Sequence, residues 1–224
     1  MGTMNTFIFE EVTVQVPEWV HDLRSFRRWV HSDESPETRL ICFLDGEVWV
    51  DMSREQLFSR NQTKHEFSCV LGPLTKSDRL GRFFPDGVLV TNVAANLSAQ
   101  PDGTFVARRS LQSGKVQLVE GADEGFVELE GTPDMVLEVV SASSVTKDTV
   151  TLMELYWRAG IPEYWLVDAR GDRLSFEIYR HTPEGYVAAR RQGGWVRSRV
   201  FGKSFRLTRR KDELGNPEFT LSVR

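Results

Sequence analysis

Apolar and polar residues alternate along this chain in a pattern that changes period several times, and each change marks an element. Phe7 to Val16 alternates with period two, Val12, Val14 and Val16 against Thr13 and Gln15, and predicts a strand that Pro17 ends. Trp19, Leu23, Phe26 and Val30 then recur at spacings of four, three and four, with Arg24, Arg27 and Arg28 largely off that stripe, predicting an amphipathic helix with a solvent-facing arginine side. Arg39 to Leu44 and Glu47 to Met52 are joined by Asp45-Gly46, a hairpin signal because glycine tolerates positive φ. Ser53 to Gln56 reads as a capping box opening a helix to about Leu71.

Phe83 to Asn92 predicts a strand interrupted at Pro85-Asp86-Gly87, Val93 to Gln100 a loop, and Thr104 to Ala107 a strand. Val116 to Val119 and Phe126 to Leu129 predict a hairpin around Gly121 to Gly125. Pro133 to Val140 is apolar on both faces, Met135, Leu137 and Val139 on one and Val136 and Val140 on the other, the mark of a central strand covered on both sides. A helix over about Val145 to Ala159 follows, with Ser143, Ser144 or Thr146 available as its cap, Val145, Leu152, Tyr156 and Ala159 on one face, and Gly160 and Pro162 closing it. Glu163 to Asp168 is again a strand apolar on both faces, so strand, helix and strand predict a crossover to a parallel neighbour. Beyond Ala169 the short alternating runs predict an antiparallel tail over 171–224.

These elements make an α/β or α+β fold with a mixed central sheet flanked by helices. At 224 residues one domain, 1–224, is expected, with a core over about 40–170 and an N-terminal strand and helix over 7–31. A hydrophobic fraction of 40% and a charged fraction of 27% belong to a water-soluble globular chain, and no apolar run reaches the ~20 residues of a membrane helix. The start of the chain has no basic and apolar leader, and Cys42 and Cys69 read as reduced thiols, so a cytoplasmic location is expected.

The net charge of -4 is unevenly spread: Arg170 to Lys211 holds 12 basic residues against Asp172, Glu177 and Glu184, a local +9 that leaves -13 elsewhere. Such a segment either steers a polyanion, through Arg190, Arg191, Arg197 and Arg199 among others, or is a solvated meander whose outward positions are arginine.

Glu138 lies in the middle of the central strand. An unpaired carboxylate there is costly, so a cation, a metal or a wet cleft must lie beside it. Asp86 and Asp102, each after a proline at a strand boundary, and Asp134 are the other carboxylates of interest. Two carboxylates from neighbouring strands with a backbone carbonyl suit Mg²⁺, and a lysine beside them can orient a water for attack on a phosphodiester.

PDMVLEVVS, then KD, then ELYWRAGIPEYWLVD resembles the signature of the Uma-two family of bacterial restriction-endonuclease-like proteins, in the PD-(D/E)XK nuclease superfamily; GEVWVDMS and the helix bearing His65 are similar to a second region of it. The resemblance implies a restriction-endonuclease-like fold and an endonuclease using Mg²⁺ or Mn²⁺ on DNA. It makes Asp102 and Glu138 metal ligands, with Asp86 competing for the first place, and the Val139 carbonyl a third. Cutting both strands of a duplex calls for two sites, so the analogy also implies a homodimer. Leu152 stands where the family has a helix lysine, and Lys147 is the replacement within reach, or else a solvated partner of Asp148. Five residues on a regular helix turn about 500°, or roughly 140° past a full turn, so Lys147 and Leu152 are not expected to share a direction. A binding module of the same fold without catalysis, and an interaction subunit with no nucleic-acid role, are the rival readings.

Overall fold

A computed structural model describes residues 5–9, 12–36, 41–51, 55–121 and 125–224. The elements run β1 (Asn5–Phe9), β2 (Val12–Val16), α1 (Leu23–Val30), β3 (Ile41–Leu44) and β4 (Glu47–Val50), then α2 (Thr63–Ser77), entered through a wider π-helical turn at Leu57–Gln62. They continue with β5 (Gly81–Pro85), β6 (Leu89–Asn92), β7 (Leu97–Ala99), β8 (Gly103–Ala107), α3 (Arg108–Gln112), β9 (Val116–Glu120), β10 (Phe126–Gly131) and β11 (Met135–Val139). A second π-helical turn, Lys147–Thr151, opens α4 (Leu152–Arg158), and β12 (Glu163–Asp168) follows. The tail holds β13 (Ser175–Thr182), β14 (Gly185–Ala188), β15 (Arg191–Gln192), β16 (Trp195–Arg197), β17 (Ser204–Lys211) and β18 (Pro217–Val223).

The expected mixed sheet is present twice, in the strand orders β4-β3-β7-β6-β10-β9 and β14-β13-β12-β11-β8-β5. β6 and β10 pair in parallel in the first and β11 and β12 in the second. β15 to β18 form a separate antiparallel sheet, so the tail divides: β13 and β14 extend the second sheet and the rest stands beside it. Pro85 has no N–H to continue a ladder, and Gly87 takes a φ of 94° just after it. There the chain leaves one six-stranded sheet for the other, so the interruption read in Phe83 to Asn92 is a change of sheet.

β11 is buried along its whole length. Met135, Leu137 and Val139 join Phe67 and Leu71 of α2, Trp165, Phe205 and Phe219 in one cluster. Val136 and Val140 join Leu152, Leu155 and Tyr156 of α4 and Tyr164 in another. Each such side chain contributes about 1.5–3 kcal/mol, which fixes β11 between α2 and α4. The tail sheet is held by Glu163, buried at the start of β12, whose carboxylate accepts from Trp165 Nε1 at 3.0 Å, Ser198 Oγ at 2.6 Å and the Arg199 N–H at 2.6 Å.

Several expectations change. Phe7 to Val16 is a hairpin, Phe7 pairing with Val14, and not one strand. β7 lies within the expected loop, and α2 runs on to Ser77. The capping box at Ser53 and part of the Gly121 to Gly125 turn lie outside the described residues; Gln56 itself caps the π turn, its Oε1 accepting from Phe58 N at 2.9 Å and Ser59 N at 2.6 Å. Arg27 turns inward: its Nε meets Glu128 of β10 at 2.9 Å, and His31 Nε2 meets the same carboxylate at 3.0 Å.

Burial alone raises the Glu128 carboxyl, but hydrogen bonds from His31 and Thr91 and the Arg27 charge outweigh it and hold the group below its ordinary 4.5. A carboxyl lowered on folding adds stability above its unfolded value and loses it as pH falls through the folded one. Glu128→Gln is therefore expected to cost about 3 kcal/mol at neutral pH, because it strips the Arg27 guanidinium of its buried partner. Urea unfolding should show that difference shrinking as pH drops below the glutamate range.

Candidate active site

At the carboxyl end of β11 the starts of α2 and α4 converge on a cavity of about 40 Å³, lined by Asp102, Glu138, Lys147, Arg60, Asp86 and Leu152 together with Cys42, Ala99 and Gln100. Cys42 lies on β3 and Ala99 on β7, so the cavity sits where the two six-stranded sheets meet. The volume holds roughly two or three water-sized groups.

Asp102 enters because β8 stops pairing with β11 at Gly103. One residue before that, the Asp102 carboxylate takes over as acceptor, its Oδ2 receiving the Val139 N–H at 2.7 Å. Gly103 must lack a side chain here, since a Cβ would lie 2.9 Å from the Phe83 ring and 3.3 Å from Leu137. The Asp102 Oδ1 is left facing Arg60 and Lys64, each at 3.7 Å. Lys64 is also held by Glu55 at 2.7 Å and Asp86 at 2.8 Å.

Glu138 projects from the α4 face of β11, and its Oε1 accepts from the Tyr156 hydroxyl at 2.7 Å. In an extended strand the N–H and C=O of one residue point to the same side, so the Val139 carbonyl faces Asp102 as its N–H does. Lys147 Nζ lies 3.4 Å from Asp148 Oδ1, while Asp148 Oδ2 is held by the Ser144 hydroxyl.

Burial pushes the Asp102 carboxyl up to about 6, against the pull of Arg60, Lys64 and the Val139 N–H. Burial and the nearby Asp148 raise Glu138 well above its ordinary value. For Lys147 burial works downward, and the charges of Glu138 and Asp148 more than reverse it, so the ammonium keeps its proton. The thiol of Cys42 is pushed up to about 12, chiefly by burial.

Two carboxylates that resist ionising in a low-dielectric cavity are suited to a cation there. Glu138 has one oxygen committed to Tyr156, Asp102 one to Val139, and Gln100 carries a buried side-chain oxygen with no hydrogen-bond partner among the described residues. These are hard oxygen donors, the set that fits Mg²⁺ or Mn²⁺ and leaves the remaining places to water. Among the described residues no three His, Cys, Asp or Glu side chains converge on one metal position. Asp102, Glu138, the Val139 carbonyl and Gln100 are the oxygen groups that could hold a cation.

The structure brings Asp102, Glu138, Lys147 and Asp86 together and leaves other candidates apart. Asp134 instead accepts from the Ala107 N–H at 2.7 Å. His65 lies beside Cys69, Nε2 to Sγ 3.3 Å, outside the cavity wall. Arg190, Arg191, Arg197 and Arg199 are exposed, and none lines the cavity. Arg191 is committed to the Phe176 carbonyl and to Glu177 at 2.9 Å. Arg199 stands over Glu163, which pairs with Met135 at the far end of β11 from Glu138. Sequence reasoning passed over Arg60 and Lys64. Their signal was a pair of cations four apart at a helix start, where the dipole disfavours positive charge unless carboxylates face it.

Residues 23–210 match the profile of the Uma2 family, described as “Putative restriction endonuclease”. The chain belongs to the Uma2 family. No curated protein matches it. Among four solved chains that match is a “putative nuclease belonging to DUF820” from Anabaena variabilis, at 16% identity and a TM-score of 0.59, covering 81% of this chain and 90% of that one. That likeness shows a shared fold.

The family frame sharpens the Leu152 departure. The first turn of this helix is π-helical, and the Leu152 N–H bonds the Lys147 carbonyl five residues back. The wider turn stacks the two residues, and both line the cavity. The expectation that they point apart is corrected: it assumed a regular helix.

Two outcomes follow from these charges. A carboxyl raised on folding binds more protons folded than unfolded between its two values, so stability falls as pH rises through that window. Asp102→Asn in chelator should therefore gain melting temperature relative to the parent as pH is raised from 4 past about 6. Aromatic disulfide reagents should titrate one thiol, the exposed Cys69, and reach Cys42 only on unfolding.

Proposed function

We propose that this chain is a divalent-metal-dependent endonuclease that hydrolyses DNA phosphodiester bonds at the cavity between Asp102, Glu138 and Lys147. The observation that carries the reading is the meeting of two raised carboxylates and a buried ammonium at the end of one central strand. Membership of a restriction-endonuclease family supports DNA as substrate. Mg²⁺ or Mn²⁺, when bound, supplies Lewis-acid charge at the scissile phosphate and eases deprotonation of water.

The chain's own groups do the rest. Asp102 and Glu138 provide the anionic cradle, and Tyr156 holds Glu138 in one rotamer through its hydroxyl. Lys147 stays an ammonium, so it donates hydrogen bonds to a water or to a phosphoryl oxygen and offsets charge that grows in the transition state; it does not take a proton. Arg60 and Lys64, 3.7 Å from Asp102, offer further positive charge to a phosphate at the cavity mouth. Leu152 closes the wall and helps exclude water from the ion pairs. The whole chain serves as one unit in this reading, because β13 and β14 complete the sheet that carries Glu138. A homodimer would place two such sites on the strands of a duplex.

Purified protein with supercoiled plasmid and Mg²⁺ or Mn²⁺ should nick it, and Glu138→Gln and Asp102→Asn should each lower the rate by at least ~100-fold, the scale of removing one preorganised charge contact. Lys147→Ala should lose a comparable factor, and adding Leu152→Lys to it should restore part of the rate, since the π turn stacks the two positions. A folded wild type that binds DNA and never cleaves it with either metal would leave a binding module of this fold in its place.

A further inference from the structure

The cavity is too small to hold more than the reacting phosphate, so the strand that carries it must lie on the surface leading away from it. Helix α2 supplies that surface. Along α2, His65, Ser68, Gly72 and Lys76 recur at spacings of three, four and four, which is one face of the helix, with Asn61 in the π turn before it and Arg79 in the turn after it. Beside Asp86, which also lines the cavity, His65 and Ser68 border an open depression of about 330 Å³. Gly72, Lys76 and Arg79 border a larger groove of about 790 Å³, whose other walls come from β5 and α3.

The strand β5 runs back along α2 from the Arg79 turn to Asp86, so helix and strand both span from groove to cavity. The twelve helical steps from Lys64 to Lys76 cover about 18 Å. That is roughly five phosphate steps along one strand of a duplex.

The groove is positively charged and unspent. Lys76, Arg79, Arg82 and Arg108 all line it, and among the described residues no carboxylate lies within ion-pair distance of any of them. The half-buried rings of Phe83 and Phe84 lie among these cations. In the C-terminal segment, by contrast, much of the arginine charge is committed to internal contacts: Arg170 to Asp168, Arg191 to Glu177, Arg209 to the carbonyls of Ala169 and Gly171, and Arg206 over the Trp195 ring. At Gly72 an added Cβ would meet nothing within 4 Å, so the middle of the trough is open to close approach.

We infer that the trough along α2 and β5 is the track for the phosphodiester backbone of the nucleic-acid substrate, with Lys76, Arg79, Arg82 and Arg108 on successive phosphates and the C-terminal arginines outside the contact. The inference takes the position of the reacting phosphate from the nuclease reading, but its test needs no cleavage. Binding of a fluorescent oligonucleotide, single-stranded in one arm and duplex in the other, is measured in chelator across a salt series.

Replacing Arg79, Arg82 and Arg108 together by alanine should weaken binding more than tenfold at low salt. It should also reduce the slope of log affinity against log salt by roughly 2–3, near 0.9 per duplex phosphate and 0.7 per single-strand phosphate. Lys76→Glu reverses an exposed charge on α2 that borders the groove, so it should fold as the parent does and still weaken binding by a similar factor. Arg197→Ala with Arg199→Ala should leave both affinity and slope unchanged. Parent-like binding by the triple variant and Lys76→Glu, an equal loss in the C-terminal pair, or no binding by the wild type would each overturn the track. A wild type that binds through the trough but cuts nothing with Mg²⁺ or Mn²⁺ removes the nuclease reading and leaves the track standing; cutting that the trough variants do not alter does the reverse. The arm that shows the larger slope change identifies the form of substrate.

Discussion

One hydrogen bond shapes the candidate site of this molecule: the Val139 N–H donated to the Asp102 carboxylate. Up to Gly103 the strands β8 and β11 pair as any antiparallel strands do. At the next step a side chain replaces the backbone as acceptor, so the ladder ends with a charge instead of a carbonyl. The substitution keeps the Val139 N–H satisfied inside the protein while leaving the second carboxylate oxygen for something else. It also sets the approach of Glu138, because a strand pinned at Val139 has no freedom to turn the residue before it. The price is a buried carboxyl that holds its proton to about 6, and the rest of the site is built to meet that cost.

The cations that meet it come from an unusual place. Arg60 and Lys64 stand at the start of α2 and Lys147 at the start of α4, where the helix dipole already carries positive charge. Three cations at two helix starts are tolerable only because Asp51, Glu55, Asp86, Asp102, Glu138 and Asp148 face them. Each group is awkward alone and stable in company. That mutual dependence couples the two sheets, since Asp51 follows β4 in one while Asp102 and Glu138 belong with the other. The opposite end of β11 is organised by Glu163 in the same manner, with neutral donors in place of cations, and it anchors the tail sheet.

Much of this was legible in the chain, for physical reasons that differ by residue. β11 announced itself because a strand covered by helices on both faces must be apolar on both, and Glu138 stood out against that background. The Asp45-Gly46 hairpin was legible because both residues adopt positive φ, 49° and 101°. The division of Phe7 to Val16 was hidden because a hairpin with period-two flanks has the same pattern as one long strand. β7 was hidden because Leu97, Ser98 and Ala99 are few and small, and their strand character comes from pairing with β3 and β6 and not from propensity. Arg60 and Lys64 were hidden for a related reason: an exposed-looking cation on a helix gives no sign of the carboxylate that another strand brings to it.

The π turn before α4 carries a lesson about how proteins keep a charge while changing a sequence. By the family resemblance drawn from the sequence, Leu152 falls at the place of a lysine and Lys147 is a neighbour five residues earlier. In space the two are one turn apart on a widened coil, with the Leu152 N–H bonded to the Lys147 carbonyl. A column counts residues along a thread, whereas an ammonium is felt by its distance from an oxygen. An insertion-like bulge in the coil can therefore hand a side chain's position to another residue without moving the scaffold. A substitution that reads as loss in one coordinate system can be conservation in the other.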